Sequence, residues 1–151
     1  MEGEWTDDEG KAWWAILRSS TLLLRNLDAD LQGREGLTLD WFDVLVNVWQ
    51  YPAGLMPLSA LADNVVLSRS GLTRLLDRME AAGLVKRTLS TVDRRRFDVS
   101  LTDKGMTEIE RVWPEHQRDV KKRCLRHLTK REMQIIHEGL AKVIAANEAK
   151  T

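Results

Sequence analysis

The sequence predicts a mainly α-helical chain carrying one small β-hairpin. Three observations predict it. Apolar residues recur at steps of three and four along most of the 151 residues, the period of helices with one buried face. A serine or threonine heads each of five such runs (Thr6, Thr38, Ser68, Thr102, Thr129), where its oxygen can cap free backbone N–H groups. Only the stretch from Leu84 to Thr102 changes to alternation, the period of a strand, and it is broken midway by "TVDRRR".

The first helix opens with the capping box "TDDE", Thr6 to Glu9. Its stripe runs through Trp13, Ile16, Leu17, Leu24, Leu27 and Leu31, with Ser20 as a gap. Gly33 and Gly36 are expected to end it. A helix of about 24 residues is roughly 36 Å long. That is more than a small core needs, so part of the stripe is expected to meet another chain. The second helix starts after Thr38 and stops at Pro52, with Trp41, Leu45 and Val48 on one face. A short helix lies in "PLSALADNV". The next follows Ser68, buries Leu72, Leu75, Leu76 and Met79, and ends at Gly83 in the left-handed conformation. Two strands follow, "LVKRTLS" and "RFDVSLT", anchored by Leu84, Val85 and Leu89 and by Phe97, Val99 and Leu101. Thr102 caps a long helix that Pro114 should bend. A second capping box, Thr129 to Glu132, opens the last helix, whose apolar residues are Met133, Ile136, Leu140, Val143 and Ile144.

Charge narrows the function. The chain is formally neutral, yet residues 1–43 hold ten acidic and four basic side chains, a net of −6. Residues 68–96 hold eight basic and three acidic ones, a net of +5. A local basic region on a neutral chain suits an anion-binding face, or a solvated face balanced by acidic neighbours. No run of about 18 apolar residues would span a membrane, and the acidic start does not resemble a secretory signal. A single cysteine, Cys124, excludes an internal disulfide and fits a reducing, cytoplasmic location.

The basic region has an order. A short helix, a tight turn and a second helix with polar reach at its N-terminus form a helix-turn-helix pattern. The outward positions of the second helix begin with Ser68, Arg69, Ser70, Thr73 and Arg74, short hydroxyls and guanidinium groups suited to base edges and phosphates. A hairpin directly after such a pair is a wing. Its tip arginines, Arg94, Arg95 and Arg96, would lie beside the narrow, electronegative minor groove of double-stranded DNA. Asp93 would hold an arginine extended through a carboxylate–guanidinium pair two residues away. The fold class is therefore mainly α with a small β-wing. A winged helix-turn-helix spans residues 38–101, and helices in residues 1–37 and 102–151 form a dimerisation lobe.

The stretch "DRRRFDVSLTDKG" (Asp93 to Gly105) resembles the MarR family of bacterial transcriptional regulators, whose pattern is D-R-R-x-x-x-V-x-L-T-x-x-G. "LSRSGLTRLLDRMEAAGLVKR" and "LTLDWFDVL" are similar to that family's recognition helix and second-helix entry. Gly71 stands where Ser, Thr or Ala is more usual. The resemblance covers about residues 35–105. It implies a homodimeric regulator that binds a palindromic operator and is often displaced by a small molecule; the chain is read as a repressor, ligand-responsive or constitutive. Ser68 to Arg74 would enter the major groove. Arg95 would reach the minor groove with Asp93 bracing it, and Arg94 is the alternative tip residue.

In proteins similar to this family, effectors bind where the first, second and long C-terminal helices meet the winged lobe. Trp14 and Arg18, four apart on one helical face, and Trp41 at the opening of the second helix would suit a small aromatic carboxylate there. Core packing is the alternative role for the tryptophans. His116, Cys124 and His127 lie near one stripe, but no second cluster completes a metal site, so Cys124 is read as structural and no cofactor is expected. No Gly-rich phosphate loop, GxSxG or HExxH motif is present, so the chain is not read as an enzyme. The competing class is a winged-helix module that binds an acidic protein without specific DNA recognition.

Overall fold

The computed structural model describes residues 4–148 except 66, 92 and 94. Six α-helices and three strands follow in the order α1 (Asp7–Glu35), α2 (Leu39–Gln50), β1 (Met56–Pro57), α3 (Leu58–Asn64), α4 (Arg69–Ala81), β2 (Val85–Leu89), β3 (Phe97–Leu101), α5 (Asp103–Arg123) and α6 (Lys130–Glu148). Single 3-10 turns lie at Pro52–Gly54 and Leu125–His127. The described residues contain no helix long and apolar enough to cross a membrane. Compactness divides the chain into Met1–His116 and Gln117–Thr151, with the boundary inside α5.

The caps are where local chemistry puts them. Thr6 Oγ1 accepts the Glu9 N–H, and the Glu9 carboxylate accepts the Thr6 N–H. Thr38 and Ser68 accept from Trp41 and Gly71. Thr129 and Glu132 close the second box. Gly33 does not end α1. It lies inside the helix, and Gly36, with φ of 66°, is the left-handed terminator, so α1 runs to 29 residues. Gly83 has φ of 74° after α4, as the sequence predicts.

In the first unit the core is built on α2, α4 and the sheet. Val44, Leu45 and Val48 of α2 meet Leu72, Leu76 and Met79 of α4, Val85 and Val99 of the strands, and Ile109 and Val112 of α5; all are essentially inaccessible. The α1 stripe divides in two. Leu27 and Leu31 are buried, while Trp13, Ile16, Leu17 and Leu24 are exposed. In the second unit, α6 buries none of its residues. Ile135, Ile136, Leu140, Val143 and Ile144 are open.

The sheet departs from the hairpin expected. A third strand, β1, pairs antiparallel with β3 through Met56↔Val99, giving the order β1-β3-β2. The pair β2 and β3 is in register from Val85↔Leu101 to Leu89↔Phe97. As the central strand, β3 buries Asp98 and Ser100 as well as Val99. Leu89 and Phe97 do not anchor the core. They face each other at the outer end of the ribbon, 58% and 44% exposed.

Candidate nucleic-acid interface

Helix α4 turns two faces in opposite directions. Leu72, Leu75, Leu76 and Met79 are buried. Arg69, Ser70, Thr73, Arg74, Asp77 and Arg78 are exposed. Its first turn is set by Ser68, whose Oγ accepts the Gly71 N–H at 3.1 Å and lies 3.3 Å from Ser70 Oγ. The Thr73 hydroxyl donates to the Arg69 carbonyl at 3.0 Å, which leaves its lone pairs outward as acceptors.

The wing returns to the same face. A cleft of about 460 Å³ is lined by Leu58, Ser59 and Ala62 of α3, Arg69, Leu72 and Thr73 of α4, and Arg95, Arg96 and Phe97 of the wing. The cleft therefore brings together four of the predicted residues, Arg69, Thr73, Arg95 and Arg96, over an apolar floor. Arg74 lies on the other flank of α4, in a groove with Asp40, Asp77 and Arg78. Arg94 lies outside the described residues.

Asp93 has a different partner from the one expected. Its Oδ2 pairs with Arg96 Nε at 3.2 Å. Arg95 offers only its backbone N–H, to Asp93 Oδ1 at 3.0 Å. With the Arg96 N–H donating to the Asp93 carbonyl at 2.9 Å, this is an Asx-type turn. The turn sends the Arg95 side chain out with no carboxylate attached among the described residues, and lays Arg96 back on Asp93.

Sequence reading missed the residue that ties helix to wing. Arg87 on β2 donates its backbone N–H to Glu80 Oε1 at 2.9 Å and its guanidinium to Glu80 Oε2 and Asp77 Oδ1, each at 2.6 Å. These bonds, the backbone one first, hold the Glu80 carboxylate below its ordinary range. Arg87 counts as a cation in the sequence but is engaged within the fold. The base of the unit is tied as closely. The Thr102 N–H donates to the Leu84 carbonyl, its hydroxyl donates to the Gly83 carbonyl at 2.5 Å, and the same oxygen accepts the Gly105 N–H at 3.0 Å. The Lys104 ammonium donates to the Ala82 carbonyl at 2.7 Å. The L-T-x-x-G motif is thus a staple between the start of α5 and the turn after the recognition helix.

The residues read as an effector site are not brought together within the chain. The Leu39 N–H donates to Asp28 Oδ1 at 2.8 Å, which sets the start of α2 beside residue 28. Trp14 and Arg18 are fourteen and ten residues earlier on α1, about 21 and 15 Å along a continuous helix. Trp14 is 67% exposed and shares a shallow hollow with Trp5, Asp7 and Lys11 of its own segment. Trp41 packs against the core. The aromatic cluster that does form is Phe42, Trp49, Trp113 and His116. His116 lies 4.2 Å from Phe42 and Trp113 lies 5.5 Å from Trp49, between ring centres. Burial pushes the His116 pKa down, and its Nδ1 is buried with no hydrogen-bond partner among the described residues. No group of acidic, histidine or cysteine side chains among the described residues is placed to hold a metal.

A polar recognition helix, a three-stranded wing and a shared arginine cleft define a winged helix-turn-helix protein. Residues 37–97 match the model of the MarR family. The chain is 32% identical over 115 residues to the HTH-type transcriptional repressor MdtR of Bacillus subtilis (strain 168), covering 76% of this chain and 72% of that one. It superposes on the crystal structure of AbsC, a MarR family transcriptional regulator from Streptomyces coelicolor, with a TM-score of 0.88 and 32% identity over 99% of this chain and all of the other. A second Streptomyces coelicolor member, solved in complex with DNA, superposes with a TM-score of 0.85 at 27% identity, covering 97% and 91% of the two chains. The chain belongs to the MarR family of DNA-binding transcriptional regulators.

Proposed function

We propose that the chain is a cytoplasmic repressor that binds a palindromic operator as a homodimer. Ser68, Arg69, Ser70, Thr73 and Arg74 would enter the major groove, and Arg95, with Arg94 as the alternative, would lie at the minor groove. The observation that carries this reading is the cleft that unites Arg69 and Thr73 of α4 with Arg95 and Arg96 of the wing. One face then offers both a helix that can read base edges and a guanidinium that can follow groove width. The homodimer, with its lobe in residues 1–37 and 102–151, is supported by the exposed apolar residues of α1 and α6, which a soluble monomer would leave wet. Repression is favoured by the similarity to MdtR, a transcriptional repressor.

Selection of bound duplexes from a random pool tests this reading. The expected product is an inverted repeat whose half-sites lie about one turn, roughly 10 base pairs, apart. Enrichment of no repeat, with binding insensitive to salt, favours the protein-interaction module instead. Release by a small aromatic carboxylate would need a pocket other than Trp14, Arg18 and Trp41 of one chain. Titration of salicylate-like acids against tryptophan fluorescence and operator affinity tests that part separately.

A further inference from the structure

The turn between α5 and α6 carries more Lys and Arg than any other acid-free stretch of the chain. From Lys121 to Arg131 the sequence "KKRCLRHLTKR" has six Lys or Arg and no acid. Lys121, Lys122, Arg126, Lys130 and Arg131 are exposed. The contact that Arg126 makes is to neighbouring His127, and no carboxylate contact is seen for any of the five among the described residues. The run belongs to the unit Gln117–Thr151, apart from the recognition helix and wing in Met1–His116. It is part of neither the recognition helix nor the wing. Like charges this close repel one another, and an anionic surface laid on them would relieve that.

The first turn of α1 is the complementary surface. Glu4, Asp7, Asp8, Glu9 and Lys11 give four acids against one base, a net of −3. Glu9 closes the capping box and Asp7 pairs with Lys11, which leaves Glu4 and Asp8 without a partner among the described residues. Two tryptophans stand beside these acids, Trp5 63% and Trp14 67% exposed. The basic turn offers Leu125, 38% exposed, among its cations. Each surface thus pairs charge with apolar area, and indole faces attract ammonium and guanidinium groups.

We propose that in the homodimer the acidic, tryptophan-bearing start of α1 of one protomer docks on the basic α5–α6 turn of its partner, as an electrostatic latch. The latch rests on the homodimer reading and deepens it by naming the surfaces that select the second copy. By two-fold symmetry it is made twice.

A charge swap tests it. The variant K121E/K122E/R126E/K130E leaves the turn with four acids against two bases, so that both surfaces are acidic, and the variant E4K/D7K/D8K makes both basic. Each alone is expected to raise the dimer dissociation constant roughly tenfold or more, as charges set face to face repel. Mixed, they should form a heterodimer of near-parent affinity, because both latches then join opposite charges. Sedimentation of differently labelled chains reads this, with circular dichroism confirming the fold. If a reversal variant does not fold, K121Q/K122Q and E4Q/D8Q replace it and should flatten the salt dependence of dimerisation. Two weakened variants that fail to pair with each other overturn the latch, since a contact within one chain is not repaired by mixing. Variants that dimerise like the parent also overturn it and leave the homodimer intact. Loss of DNA affinity by K121E/K122E/R126E/K130E with an unchanged dimer overturns it in favour of a second nucleic-acid surface. A monomeric parent overturns the homodimer reading itself.

Discussion

Gly105→Ala is expected to destabilise the fold strongly, against the usual rule for helices. Gly105 lies in the first turn of α5. A Cβ built there falls inside the contact distance of the Leu84 carbonyl oxygen and 3.0 Å from its carbon. Both sides of this contact are backbone, so neither can rotate away. The start of α5 must instead withdraw from the turn after α4, and the Thr102–Leu84 and Thr102–Gly83 hydrogen bonds lie in its path. Overpacking of this kind costs about 1–3 kcal/mol, and each strained hydrogen bond adds about 1 kcal/mol. A loss of about 3 kcal/mol is a large part of the roughly 5–15 kcal/mol that holds a domain folded. In a chain of this size it lowers the Tm by about 6–12 °C.

Gly33→Ala is the matched comparison. Gly33 is also inside a helix, but a Cβ there meets nothing within 4 Å. The change should raise stability by about 0.5–1 kcal/mol, because alanine loses less backbone entropy. Thermal unfolding followed by circular dichroism at one fixed protein concentration reads both. The two alanines should move the Tm in opposite directions. A Gly105→Ala protein as stable as Gly33→Ala would refute the argument that L-T-x-x-G exists for close approach.

Arg87→Met removes the clamp between α4 and β2 and leaves Asp77 and Glu80 facing an uncharged chain; about 1 kcal/mol of stability should be lost. Operator affinity should fall by more than the lost charge explains, which filter binding across salt concentrations measures against Lys86→Met, an exposed cation on the same strand. Asp93→Asn keeps an acceptor for the Arg95 N–H but frees Arg96, whereas Asp93→Ala loses both contacts. If the turn is what matters, gel shift should find Asn near the parent and Ala weaker, and tighter binding by Ala would remove any positioning role. His116 is held neutral by burial, so its folded pKa lies below the ordinary value of about 6.5. The unfolded chain then binds more protons below that value, and stability should decline as pH falls from about 6.5 toward the depressed folded pKa. Denaturant titrations at several pH values should show this segment flattened in His116→Phe.

Features made by neighbouring residues were legible in the sequence. Thr6, Thr38, Ser68 and Thr129 cap because an oxygen and the N–H it accepts are three residues apart. The buried stripe of α4 follows from helical period alone. What escaped depends on partners distant in the chain. The two-residue strand β1 exists only because β3 is there to pair with it. Alternation put Phe97, Val99 and Leu101 on one face, but nothing in it says how deeply each is covered, and Phe97 is left 44% exposed at the cleft between helices and wing. Glu80 and Arg87 are seven residues apart across a turn, a spacing that carries no helical or strand signal. One chain does not bring Trp14 and Arg18 to Trp41, because α1 is a continuous helix whose start is far from Asp28, the residue that meets the start of α2. The sequence did show that the α1 stripe was too long for a small core, and the exposed Trp13, Ile16 and Leu17 agree with that expectation.

The count of cations that remain free bounds how the proposed DNA binding should respond to salt. Residues 68–96 hold eight basic side chains, but they are not equivalent. Arg87 is engaged by two carboxylates, and Arg96 is paired with Asp93. Arg69, Arg74, Arg78, Lys86 and Arg95 are exposed with no carboxylate partner among the described residues. Counting Arg94, which lies outside the described residues, the ceiling is six per protomer and twelve per dimer. Each neutralised phosphate contributes a slope of about −0.9 in log affinity against log salt, so the operator complex should show a slope no steeper than about −11. Arg95→Ala should make that slope shallower by about 2 per dimer if it contacts phosphate. It should leave the slope nearly unchanged, and instead remove a preference for A·T flanks, if its guanidinium enters the minor groove. A slope well beyond −11 would mean that cations outside this region also touch the duplex, and the exposed lysines and arginines of the α5–α6 turn would be the first to test.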